Sequence, residues 1–190
     1  VLKSTPIQDV IACITSGLEQ GYKNFILSAD DIGAYGYDFG SDYLELLSEI
    51  VKLKGNFKIE LRFLEPRWLI RDISKIAKIL TDTALISFVC VPVQSASKRS
   101  LKAMNSDYDP HACSEAINQL QQISPSTFVR VHFITGFPGE TEEDHKENMQ
   151  FIDNTAFDMG GCFIYSDRLG TESLLMDNKI SEKIKQTRHK

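Results

Sequence analysis

The sequence predicts an α/β fold built on a parallel sheet that curls into a barrel or half-barrel. Three observations carry that prediction. Helical and strand patterns alternate from one end of the chain to the other, as expected of repeated strand–helix crossovers. Residues 85–93, LISFVCVPV, are a nearly continuous apolar run, the pattern of a strand buried on both faces. Polar and special residues gather just after the strands, whereas the opposite connectors, such as EQGYK and KLKGN, are plain. Parallel α/β proteins bind ligands at that one rim.

Taken in order, Thr5-Pro6 reads as an N-cap followed by Pro at the first helical position. Ile7, Val10, Ile11, Ile14 and Leu18 then recur with helical period, and Gly21 stops the helix. KNFILSA (23–29) is a short apolar strand, and DDIGAYGYDFG (30–40) is a loop. A helix over 41–54 is capped by Ser41 and closed by Gly55, and FKIELRF (57–63) alternates like a strand. A third helix, 65–82, begins at Pro66, and the strand 85–93 follows it. Residues 94–108 form a loop with a short helix, and Asp109-Pro110 opens a helix to about Ile123. STFVRVHFIT (126–135) is a strand, 140–155 an acid-capped helix, MGGCFIY (159–165) a strand and 166–173 a loop. The series opens on a helix, as though a first strand preceded it. The basic stretch SEKIKQTRHK ends the chain.

Length and composition set limits. The 190 residues fit one domain with a real core. The net charge of −5 excludes a nucleic-acid clamp made by this segment alone, because phosphate contacts need clustered Lys and Arg. No apolar run approaches the length of a membrane span. The four cysteines, Cys13, Cys90, Cys113 and Cys162, contain no C-x-x-C pair. They read as free thiols in a reducing cytosol, hence a cytoplasmic location. The chain starts at Val1 rather than Met and is read as one core domain, 1–190, of a longer protein.

Five rim loops hold the candidates: Ala29-Asp30-Asp31, Glu65-Pro66, Pro92-Val93-Gln94-Ser95, Gly136-Phe137-Pro138-Gly139-Glu140, and Tyr165-Ser166-Asp167-Arg168. Asp30 and Asp31 suit ribose hydroxyls or an ammonium group, or else cap a turn. Gln94 and Ser95 suit a ligand's polar edge, or bond within their loop. Arg130 and His132 share one strand face. An inward Arg130 needs an anionic partner, and a lone His132 is as readily a core residue as a catalyst. Glu142, Glu143 and Asp144 complement the positive end of a helix dipole. There is no Walker loop and no G-x-G-x-x-G.

Longer segments carry more. PVQSASKRSLKAMNSDY (92–108), VRVHFITGFPGETEED (129–144) and FIYSDRLGTES (163–173) occur in that order, behind DDIGAYGYD (30–38). Together they resemble the radical S-adenosylmethionine methylthiotransferases. The pattern of that family runs P-V-Q-S-[GA]-S…L-K-x-M-x-R-x-Y, then G-F-P-G-E-T-E-x-D, then F-x-Y-S-P-R-x-G-T. The resemblance implies a (β/α)6 partial TIM-like barrel of the radical SAM type, with its first strand missing from these 190 residues. It implies S-adenosylmethionine and a [4Fe-4S] cluster as cofactors. The cluster cysteines, C-x-x-x-C-x-x-C, are expected before Val1, so the segment by itself is expected to hold no cluster and to be inactive. Flanking cluster-binding and RNA-binding domains are expected outside it. The implied reaction inserts a methylthio group into a tRNA adenosine of threonylcarbamoyl or isopentenyl type, or into an aspartate of a ribosomal protein. It requires a reductant and a sulfur donor.

Carried over by position, Asp30 and Asp31 match a loop near the methionyl amino group, with Ala29-Asp30 replacing the usual Gly-Gln. Gln94 and Ser95 match cofactor-lining positions. Arg130 matches an arginine of the protein-modifying branch that meets the cofactor carboxylate. His132 stands where many tRNA-modifying members carry Asp, and Asp167 and Leu169 replace prolines. The adenosine is expected against Ile134 to Gly136, whose glycine admits close backbone approach, with Tyr165 and Ser166 beside it. Two alternatives stand next to this reading: a non-catalytic binding module on the same fold, and another radical S-adenosylmethionine enzyme.

Overall fold

The computed structural model describes residues 2–190, apart from the side chain of Asp82. Helices and strands alternate as α1 (Ile7–Glu19), β1 (Asn24–Ser28), α2 (Tyr43–Val51), β2 (Lys58–Arg62), α3 (Pro66–Thr83) and β3 (Ile86–Gln94). There follow α4 (Lys98–Ala103), α5 (Pro110–Ile123), β4 (Phe128–Thr135), α6 (Glu142–Asn154), β5 (Met159–Ile164) and α7 (Glu182–His189). Short 3-10 turns span Ile32–Ala34 and Glu172–Leu175.

The five strands pair in parallel, in the order β1-β2-β3-β4-β5. This order has no reversal. Because parallel crossovers share one hand, the connecting helices pack on one face of the sheet. That makes the wall of a partial barrel rather than a doubly wound sandwich.

The two faces differ accordingly. Ile59 and Leu61 of β2, Val89 and Val91 of β3, and Val129 and Val131 of β4 are at most 1% exposed. They join Leu47, Ile50, Leu69, Ile76, Ile117 and Leu120 of the helices in one core. Each fully buried Leu or Ile stabilises the fold by about 1.5–3 kcal/mol. Tyr43 is wholly buried in this layer, and its hydroxyl donates to Asp72 Oδ2 at 2.8 Å. The alternate strand residues form an open face. Ile26, Phe128, Met159 and Phe163 are all exposed there.

Several boundaries differ from the sequence expectations. Pro6, not Thr5, stands at the N-cap of α1, and it does so without a side-chain cap bond. The Thr5 carbonyl instead accepts from the Tyr35 hydroxyl at 2.6 Å. Asp42, not Ser41, caps α2, accepting from the Glu45 amide at 2.8 Å. Ser41 Oγ donates to the Glu45 carboxylate at 2.6 Å, so the first turn is held from both sides. Strand β3 is not buried evenly on both faces, since Phe88, Pro92 and Gln94 remain half-buried. The partial barrel leaves that side uncovered. No helix among the described residues is long and apolar enough to cross a membrane.

Candidate functional site

The carboxyl ends of β3, β4 and β5 enclose a cleft of about 470 Å3. Strand register builds its floor. Ile134 of β4 lies beside Phe163 of β5, both on the open face. Gln94 ends β3 with φ of 62°, a left-handed turn that carries the chain over the cleft rim. Its Oε1 accepts from Ser106 Oγ at 3.1 Å, which orients the amide. Met104 and Asn105 come from the turn after α4. Tyr165 and Ser166 follow β5 directly, and Phe137 packs edge-on against Tyr165 with ring centroids 5.2 Å apart. The cleft therefore has an apolar wall and a few polar edges, the usual make-up of a small-molecule site.

Gln94, Ile134, Tyr165 and Ser166, singled out from the sequence, converge in this cleft. Arg130 and His132 lie farther along the same face of β4, spaced by two. Arg130 Nε is buried without a hydrogen-bond partner, and Arg130 has no carboxylate within ion-pair distance among the described residues. His132 sits between Phe63 and Phe163, with ring centroids 5.8 and 5.1 Å away. Burial, reinforced by the Arg130 charge, lowers its pKa. The ring is therefore neutral at pH 7. Cys90 Sγ lies 3.8 Å from His132 Nδ1, and burial pushes its thiol up to about 11 despite Arg130 and Arg62 nearby.

Other candidates serve the fold. Asp31 caps the 3-10 turn through Gly33 N at 3.0 Å and accepts from Trp68 Nε1 at 2.8 Å and Arg67 at 2.9 Å. Asp30 is exposed beside it. Ser95 is 1% exposed and donates to Asn148 Oδ1 at 3.1 Å, so it fastens the β3 loop to α6 and faces away from the cleft. Gly136 has φ of 77°, and a Cβ there would stand 2.4 Å from Lys185 Cγ. At Gly139 a Cβ would stand 2.4 Å from Asn178 Nδ2. On the side a Cβ would occupy, these glycines admit the chain's own C-terminal segment. Gly136 itself does not line the cleft, although Ile134 and Phe137 on either side of it do.

Sequence reasoning missed two structural anchors. Asp144 does more than complement a dipole. It completes a capping box with Thr141, accepts from Ser97 Oγ at 2.5 Å and pairs with Arg99. Burial alone would raise its carboxyl, but bonds from Arg99, Ser97 and Thr141 outweigh that and bring it down to about 2. Glu140, expected only to start a helix, is buried. It accepts from Gly136 N at 2.9 Å and pairs with Arg188 of α7 at 2.6 Å. The T-x-x-D spacing signalled the capping box. Nothing in the sequence signalled the pairing with Arg188, 48 residues away.

The chain is 34% identical over 189 residues to the ribosomal protein uS12 methylthiotransferase RimO of Pseudothermotoga lettingae, covering 98% of this chain and 44% of that protein. It is 29% identical over 188 residues to the tRNA-2-methylthio-N(6)-dimethylallyladenosine synthase of Fusobacterium nucleatum, covering 98% and 43%. A probable threonylcarbamoyladenosine tRNA methylthiotransferase of Pyrococcus abyssi is 29% identical, with 90% and 40% covered. The chain thus spans less than half the length of these curated relatives.

Among solved structures, the radical S-adenosylmethionine methyltransferase TsrM of Kitasatospora setae superimposes with a TM-score of 0.65 at 15% identity, covering 84% of this chain and 29% of that one. Coproporphyrinogen III oxidase (HemN) of Escherichia coli gives 0.59 at 18% identity, covering 75% and 34%. At such identities the likeness speaks to the fold alone. The Radical SAM superfamily profile matches residues 3–152. That match takes in α1, runs through four of the five parallel strands and ends inside α6, and the chain belongs to the radical SAM superfamily.

Proposed function

We propose that this chain is the S-adenosylmethionine-binding core of a methylthiotransferase acting on a tRNA adenosine. The observation that carries the reading is the cleft across the ends of β3, β4 and β5, in a chain whose curated relatives are methylthiotransferases. Its residues fit the cofactor. Ile134, Phe137 and Phe163 offer an apolar wall for the adenine, and Gln94 and Ser166 offer hydrogen bonds to its polar edge. The buried, unpartnered Nε of Arg130 is an unused donor for a carboxylate on the same sheet face. Asp30 stands exposed at the far rim, available to the amino end. Bound beside these residues, S-adenosylmethionine would supply radical chemistry once an external reductant provides the electron.

The residues do not fit an iron–sulfur cluster. Cys13, Cys90, Cys113 and Cys162 fall on α1, β3, α5 and β5, and no group of three His, Cys, Asp or Glu among the described residues could hold a metal. The reading places the cluster thiolates, together with an RNA-recognising domain, outside these 190 residues. The charge of −5 supports RNA contact through another part of the protein. A cytoplasmic location belongs to the same reading.

A second substrate reading is an aspartate of ribosomal protein S12. It is favoured by Arg130, which matches the protein-modifying branch, and by the 34% identity to RimO. One experiment separates the two. The complete protein, reconstituted anaerobically with iron and sulfide, is given S-adenosylmethionine with either bulk tRNA or S12. Methylthiolation of tRNA alone supports the first reading, and of S12 alone the second. Release of 5′-deoxyadenosine with neither product methylthiolated overturns both.

A further inference from the structure

The chain ends in a segment that packs over the turn Gly136-Phe137-Pro138-Gly139-Glu140. Gly139 N donates to Asn178 O at 2.8 Å. The aliphatic stem of Lys185 lies on Gly136, and its Nζ donates to the Tyr165 carbonyl at 3.2 Å. Arg188 closes the arrangement. Its Nη1 pairs with Glu140 Oε1 at 2.6 Å and also donates to the Glu140 carbonyl at 3.3 Å. The side chains of Arg188 and Glu140 are 9% and 2% exposed. The other Glu140 oxygen, Oε2, holds Gly136 N at 2.9 Å. A single carboxylate therefore ties the first residue of the turn to α7.

We propose that Arg188 is a positioning residue for the cofactor cleft, acting through Glu140 on Phe137 and Tyr165. The role rests on the cleft being the S-adenosylmethionine site. The reason is geometric. Phe137 lies between Gly136 and Glu140 in the chain, and its ring meets Tyr165 at 5.2 Å in the cleft wall. The turn has two left-handed residues flanking Phe137-Pro138, Gly136 with φ of 77° and Gly139 with φ of 84°. Two glycines give such a loop little stiffness of its own. Its shape therefore depends on what clamps it, and Arg188 is the charged part of the clamp. A guanidinium is suited to this work because its planar fork reaches a carboxylate and a carbonyl together. Lys185 adds a second hold, over Gly136 and the Tyr165 ring, with its Nζ 5.6 Å from the ring centroid.

The complete protein with Arg188→Ala, Arg188→Lys and Glu140→Gln/Arg188→Ala tests this by two readouts. In the first, KM for S-adenosylmethionine rises by about tenfold in Arg188→Ala while kcat stays within about twofold, as expected when a wall is misplaced by a fraction of an ångström. Arg188→Lys recovers part of that loss. The double variant is no worse than Arg188→Ala, because it leaves no unpaired buried carboxylate. The second readout is hydrogen exchange of the Gly136 and Gly139 amides, which becomes faster in Arg188→Ala and requires neither cluster nor turnover. Faster exchange with an unchanged KM overturns the positioning role and leaves the cofactor reading intact. Unchanged exchange in Arg188→Ala overturns the clamp itself. Wild-type protein that does not bind S-adenosylmethionine overturns the cofactor reading and this role with it. Should Arg188→Ala fail to fold, Arg188→Lys carries the test, and a KM equal to wild type at faster Gly136 exchange has the same overturning force.

Discussion

Asp144 is 3% exposed, yet it remains ionised because three side chains donate to it. With its carboxyl brought down to about 2, against about 3.9 in an unfolded chain, the sign of its pH effect follows. Its contribution is fully present above pH about 3.9 and is lost as pH falls toward 2, amounting to about 2.5 kcal/mol. Asp144→Asn should cost about 1.5–3 kcal/mol at neutral pH and flatten the acid limb of a urea-denaturation profile between those pH values. An acid limb unchanged by the substitution would refute the assignment. The cysteines give a second expectation at this scale. Cys13 is exposed on α1, whereas burial pushes Cys90 up to about 11 and Cys113 up to about 12. Iodoacetamide, which reacts with thiolates, should label Cys13 in the native protein and reach Cys90 and Cys113 only after unfolding. Equal labelling of Cys13 and Cys90, read by peptide mass spectrometry, would contradict the buried placement of β3.

Elements are joined here by side chains that lock loops. The 3-10 turn over Ile32–Ala34 is fixed to α3 by Trp68, whose indole lies against Gly33 and donates to Asp31. Arg67 and Arg71 cover the ring, with their Cζ atoms 4.8 and 4.6 Å from its centroid. A Cβ at Gly33 would fall 1.9 Å from Trp68 Cδ1, a ring held in place by its hydrogen bond to Asp31. Gly33→Ala should therefore destabilise the fold by about 1–3 kcal/mol through overpacking. Adding it to Asp31→Ala, which releases the indole, should cost less than it does alone. Additive effects in denaturant melts would mean that the hydrogen bond does not hold the ring. The GFPGE turn follows the same logic with a different lock, an ion pair to α7.

At the scale of the molecule, the monotonic strand order gathers the helices on one face and leaves the other for the site. The alternation of elements, the apolar run of β3 and the rim of polar residues were legible in the sequence because they are local, periodic properties. So were Pro66 opening α3 and Pro110 opening α5. Of the candidate cleft, Gln94, Tyr165 and Ser166 were legible through their positions at or just after strand ends, and Ile134 through the family resemblance. Ser95 was not separable from Gln94, because adjacent residues at a strand end point opposite ways and only the fold decides which faces the cleft. Asp31 was not separable from Asp30 for a related reason, its partner Trp68 being 37 residues away.

The sequence by itself determined the class of fold, the elements and the rim, since these depend on short-range patterning of apolar and breaking residues. Only the tertiary structure decided that Gly136 and Gly139 face Lys185 and Asn178. It alone decided that Glu140 belongs to Arg188. Contacts between residues so far apart in the chain depend on how whole elements pack, and periodicity within one element holds no information about them.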